Sequence, residues 1–115
     1  AEAVRWWTLG AEKGHADSRF RLGMATIAAD AARGYELLLA AAKQNHPTAM
    51  LETGRMLRDG RGLAADPVDA HAWLSLAAER NVAGAAAERD AIERRLDAGQ
   101  LTGARARMAE LLSRR

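Results

Sequence analysis

Cysteine is absent from the 115 residues, which excludes a disulfide framework, a thiolate metal site and a cysteine nucleophile. The compartment stays open, because a periplasmic or secreted domain can do without disulfides. Proline occurs twice and aromatic residues make up 4%. With Val and Ile also scarce, the residue types that favour strands are largely missing. No run approaches the ~18 consecutive apolar residues of a membrane span, so no membrane insertion is expected. The N-terminus shows no basic, apolar and small-residue signal pattern. Charge of one sign is lacking too, with 17 Lys plus Arg against 15 Asp plus Glu. The basic excess lies wholly in residues 89–115, where seven Arg face four acids. That is weak beside a true polyanion binder, and nucleic acid is not expected as a partner.

Alanine is what the chain has in quantity, about a quarter of its residues. With 49% hydrophobic and 28% charged residues, the composition fits one soluble domain that is all-helical by intrinsic propensity.

Self-comparison shows an internal repeat. Ala3 to Gly23 matches Gly34 to Gly54 at an offset of 31, and Ala70 to Ala85 at a further 36. In this register Trp6 aligns with Leu37 and Trp73, Ala11 with Ala42 and Ala78, and Gly14 with Asn45 and Asn81. A large side chain followed by a small one lets two helices cross closely. Gly or Asn at the third place suits a left-handed helix C-terminus. Each match predicts a helix, a tight turn and a second helix, giving helices near 2–13, 16–29, 33–44, 47–58, 67–80, 83–96 and 98–113. The predicted core contains Trp6, Leu9, Leu22, Leu37, Ala41, Leu57, Trp73, Leu76 and Ala77.

The longer second offset has its origin between Gly54 and Ala70. There Gly60 and Gly62 supply a tight turn, and Asp66 with Pro67 an N-cap and first helical residue. The equivalent stretch after Gly23 is five residues shorter, so its turn must be tighter. After Gly84 the pattern fades, with Arg89 and Asp90 standing where Leu22 and Gly23, or Thr53 and Gly54, stood. Asp97 and Gln100 resemble a capping box opening a last amphipathic helix with Leu101, Met108, Leu111 and Leu112. A polar-faced terminal element of this kind closes a solenoid.

These residues resemble the Sel-one-like repeat, a branch of the tetratricopeptide superfamily of helical-hairpin solenoids. One part of the resemblance is Ala3, Trp6, Trp7, Ala11, Glu12, Gly14, His15 and Ala16. The other is Leu22 and Gly23, with Gly54, Gly60, Gly62, Leu63, Asp66, Ala70 and Trp73. It implies a right-handed superhelical solenoid of antiparallel helix hairpins, about seven helices with a C-terminal cap. The repeat units fall at about 1–29, 30–60 and 61–96, with a capping helix at 97–115. Opening on an unpaired second helix suggests a fragment of a longer array. Thr53 in place of the usual Leu and the shortened first loop are departures. The resemblance also makes a periplasmic or envelope-associated role plausible, without excluding the cytoplasm.

Enzyme signatures are missing: there is no HExxH, GxSxG, P-loop or dinucleotide fingerprint. No cofactor and no metal site are expected. His15 and His46 occupy the same turn position of successive repeats, and His71 lies on another helix, so turn and packing roles are the stronger reading. Asp66 and Asp69 read as a cap and a dipole partner rather than an acid/base pair.

The resemblance places the first helix of each pair on a concave surface. It points inward Asp17, Phe20, Met24 and Ile27, then Thr48, Leu51, Arg55, Arg58 and Asp59, then Ala87, Ala91, Arg94 and Arg95. Arg55 and Arg58 share a helix face. With Arg94 and Arg95 they would set four guanidiniums beside an apolar strip, suited to a peptide with acidic groups. The competing possibility is that these arginines are solvated or paired with Glu52, Asp59, Asp90 or Glu93. The expected function is a protein-interaction scaffold or adaptor. The alternative is a module that binds or hydrolyses a small molecule or cell-wall fragment at the bacterial envelope.

Overall fold

Seven helices follow one another in the computed structural model, which describes residues 2–113. They are α1 (Glu2–Glu12), α2 (Ala16–Thr26), α3 (Ala31–Lys43), α4 (Pro47–Asp59), α5 (Pro67–Glu79), α6 (Ala85–Glu93) and α7 (Ala98–Ser113). The described residues contain no strand. The molecule is elongated, 47 × 27 × 22 Å, as a stack of helices should be.

The punctuation read from the repeat is where the chain turns. Gly14, Asn45 and Asn81 are all left-handed, at φ 82°, 69° and 59°. Each follows the helix carrying its repeat's large core position. Gly60 ends α4 in the same conformation at φ 68°. Asp66 caps α5 by accepting from the Asp69 amide at 3.0 Å. Asp97 and Gln100 form the reciprocal box, with amide-to-side-chain bonds of 3.0 and 2.7 Å. The tighter first turn shortens α2 to Thr26 and starts α3 at Ala31, where Asp30 caps it by accepting from the Arg33 amide.

The closest hairpins are α2–α3 and α4–α5, and each is closed at a glycine. A Cβ on Gly23 would lie 3.1 Å from the Gly34 carbonyl oxygen, and one on Gly54 would lie 2.8 Å from Leu74 Cγ. Asp90 holds the equivalent place in α6, where no glycine allows so close a crossing. Accordingly α7 forms no such hairpin with α6 and packs against α5. Ala104 and Leu111 are its buried residues, while Leu112 faces solvent.

The main core lies in the middle and C-terminal helices, with Leu37, Ala41, Leu57, Trp73, Leu76 and Ala77 all buried. The expectation fails in the N-terminal helices. Trp6 is 63% exposed and Leu9 42% exposed, whereas Trp73 at the equivalent position is 2% exposed. Leu22 is half-buried. The reason is stacking order: α3 and α5 are flanked on both sides, whereas α1 packs chiefly on α2 and buries no residue fully.

Thr53 replaces leucine in the core of α4, fully buried, and its hydroxyl oxygen has no hydrogen-bond partner. Replacing that hydroxyl with a methyl removes the desolvation penalty at constant shape. Thr53→Val is therefore expected to stabilise the fold by about 1 kcal/mol. That corresponds to roughly 4 °C in the melting midpoint. Denaturant titration checks it, and a lower midpoint would show that the hydroxyl is usefully bonded.

Candidate functional site

The residues expected to line a groove lie on α2, α4 and α6 and just past their ends, since α6 stops at Glu93 and leaves Arg94 and Arg95 in the turn that follows, and they do not share one environment. Phe20 is half-buried and stacks on His46, with ring centroids 4.6 Å apart. Met24 is exposed. Leu51 is 5% exposed and belongs to the core, so it lines no groove. Ile27 is buried too, closing against Gly34.

Between α4 and α6 lies a trough of about 440 Å³, lined by Arg58, Asp59, Ala87, Glu88, Ala91, Ile92 and Arg95. The structure thus brings Arg58, Asp59, Ala87, Ala91 and Arg95, which the resemblance implied would face one way, around one trough. Arg94 is exposed but lies outside the trough lining.

Glu88 organises this trough, and sequence reasoning missed it. Arg55 donates from Nε to Glu88 Oε1 at 2.8 Å and from Nη2 to Oε2 at 2.6 Å, while its Nη1 donates to Glu52 at 2.8 Å. Arg58 donates from Nη1 to Glu88 Oε1 at 2.8 Å and grips Asp59 with Nε and Nη2 at 2.8 and 3.1 Å. The two arginines are therefore neutralised by Glu52 and Asp59, as the competing possibility had it, and by Glu88, so four free guanidiniums do not line the trough. The only legible signal for Glu88 was its position one turn into α6, where a carboxylate suits the helix dipole.

The electrostatics follow from this geometry. The hydrogen bond from Arg55 holds the Glu88 carboxyl below its ordinary value near 4.5, outweighing the burial that pushes it up. Arg58 likewise holds Asp59 down, and both guanidinium groups are raised by their carboxylates. At the far end, Asp17 is lowered by Arg21 first and His46 second. His46 caps α4 through Nδ1, which accepts from the Ala49 amide at 3.1 Å. Its Nε2 consequently carries the proton and donates to Asp17 at 3.2 Å.

A depressed carboxylate stabilises the fold above its unfolded value, and that contribution disappears as pH falls through the lower folded value. Stability should therefore decline below about pH 4.5, and Glu88→Gln should flatten the decline while costing stability at neutral pH. Melting midpoints of both proteins between pH 3 and 7 give the comparison. Parallel curves would mean that Glu88 carries none of the linkage.

The family model of the Sel1 repeat matches residues 1–15, 16–46 and 47–82. The chain belongs to the Sel1 repeat family. The second and third matches run 31 and 36 residues, the same as the two internal offsets, and they frame the close α2–α3 and α4–α5 hairpins. The structure of a protective antigen from uropathogenic Escherichia coli strains, displaying an SLR fold, is similar, with a TM-score of 0.90 at 26% identity. The similarity covers 96% of this chain, which spans 25% of that protein's length. No curated protein matches the chain significantly.

Within this Sel1-repeat solenoid the three histidines serve separate places. His15 and His46 sit at the starts of α2 and α4, and His71 is buried on α5, 2.9 Å from Glu93. Among the described residues no three His, Asp or Glu side chains converge so as to hold a metal ion. Among the described residues no helix is long and apolar enough to cross a membrane.

Proposed function

We propose that the chain is an interaction scaffold or adaptor that takes a peptide or protein partner along its α2, α4 and α6 face, seated in the trough between α4 and α6. Sel1 repeats are generally protein–protein interaction scaffolds, and such solenoids are typically non-enzymatic. The observation that carries the reading here is the trough itself. Its floor is the small and apolar Ala87, Ala91 and Ile92, and its rim carries Arg95, which has no ion-pair partner among the described residues.

Because Arg55 and Arg58 are already saturated, any acidic preference rests on Arg95. The partner that fits best presents small apolar side chains with one carboxylate beside them. Met24 and Phe20 extend the apolar path along α2.

The test uses residues whose change leaves the fold intact. Ala91→Glu and Arg95→Glu are both at exposed positions and are expected to leave the melting midpoint unchanged. A partner captured by the parent protein and lost from each variant supports the trough. Capture unaffected by both variants would place the partner elsewhere.

A further inference from the structure

Large apolar side chains left in water gather on α1. Trp6, 63% exposed, and Leu9, 42% exposed, are the most exposed of them among the described residues. They stand three apart and share one helix face. The same face runs on by four residues at either end, to Glu2 and to Lys13, whose amide still bonds back to the Leu9 carbonyl at 3.2 Å. Glu2, Trp6, Leu9 and Lys13 are thus spaced four, three and four apart, which is the seam of a two-helix packing. Arg5 and Glu12, seven apart, run along one flank of it. All six side chains are exposed, and the four charged ones have no ion-pair partner among the described residues.

The order of residue types along the seam selects what fits it. Acid, apolar, apolar, base is a sequence whose charges change sign when its direction is reversed. A second α1 laid antiparallel therefore sets Trp6 against Leu9 and Glu2 against Lys13, each pair made twice. Antiparallel helices also match like flanks, which brings Arg5 beside Glu12. A parallel copy would instead oppose Glu2 to Glu2 and Lys13 to Lys13.

We infer that the chain pairs with a second copy of itself through α1, in an isologous two-fold dimer centred on Trp6 and Leu9. Two helices of 11 residues bury less than the ~1,200 Å² of a standard stable interface, so the dimer is weak and set by concentration. The face shares no residue with the trough between α4 and α6, and pairing leaves that trough unoccupied.

Sedimentation equilibrium tests the pairing from about 5 μM to about 1 mM, where the chain should show a monomer–dimer equilibrium with a Kd on the order of 100 μM. Trp6→Ala should keep it monomeric throughout. Glu2→Lys and Lys13→Glu should each weaken self-association about tenfold, because each sets like charges across the two-fold axis. Mixed in equal amounts, these two variants should pair with each other within about threefold of the parent affinity, since one presents two lysines to the two glutamates of the other. Melting midpoints within about 2 °C of the parent establish that every variant is folded. A parent chain monomeric at about 1 mM overturns the dimer. So does a mixture that associates no better than either variant alone, or a dimer that survives Trp6→Ala.

Discussion

Reversing two charges at once, Arg55→Glu with Arg58→Glu, is expected to unfasten α6 from α4 and to lower stability by about 3 kcal/mol. The parent arrangement places two guanidiniums among three carboxylates, with Arg55 bridging Glu52 and Glu88 and Arg58 bridging Glu88 and Asp59. The double variant would put five carboxylates in the same space, losing every charge-assisted bond and adding like-charge repulsion. Both arginine side chains are about one-third exposed, so water screens part of this cost and the figure stays below that of a fully buried pair. Helix α6 is nine residues long and buries only Ala85 and Ile92, so its packing on α5 is its main other anchor. The melting midpoint should fall by roughly 12 °C. A fall of less than about 3 °C would show that the cluster is decorative. Because this variant damages the fold, loss of a partner from it says nothing about where the partner sits. Arg95 and Ala91 are the informative positions.

Trp73→Ala is expected to cost about 3–5 kcal/mol, whereas Trp6→Ala should change stability by about 0.5 kcal/mol or less. The two tryptophans occupy the same position of the first and third repeats, so chemistry and helix register are held constant between them. What differs is cover. Trp73 is packed within the main core beside Met50, Leu76 and Leu111. Trp6 lies on an α1 face with Glu2, Arg5 and Leu9 that no described helix covers. Removing Trp73 leaves a cavity in a close-packed interior, while removing Trp6 returns apolar surface that was already in water. Urea titration of both variants gives the contrast directly. Equal losses would mean that α1 is held by contacts of its Trp6 face.

Much of the architecture was readable because its causes are local. Left-handed turns need Gly or Asn, and Gly14, Asn45, Asn81 and Gly60 all stand where the chain turns. Two helix starts were marked by a capping carboxylate, Asp66 and Asp97, whereas the Asp30 cap that starts α3 was not read. The placement of Asp90 against Gly23 and Gly54 marked where hairpin packing stops. The candidate trough was only half legible. Arg58, Asp59, Ala87, Ala91 and Arg95 were placed on a common face by the family resemblance and do meet around one trough. Leu51 was placed with them by helix position, but one step of rotation puts a residue in the core instead of on the face.

By itself the sequence determined the helices, their boundaries to within a few residues, the repeat that stacks them and the point at which the stack ends. All of these are set by interactions spanning one or two turns of chain. Only the tertiary structure decided which charges meet, which tryptophan is covered and which helix α7 packs against. Glu88 lies 33 and 30 residues from the arginines it neutralises. Pairing at such separations depends on the angle between successive hairpins, and no local pattern carries that angle.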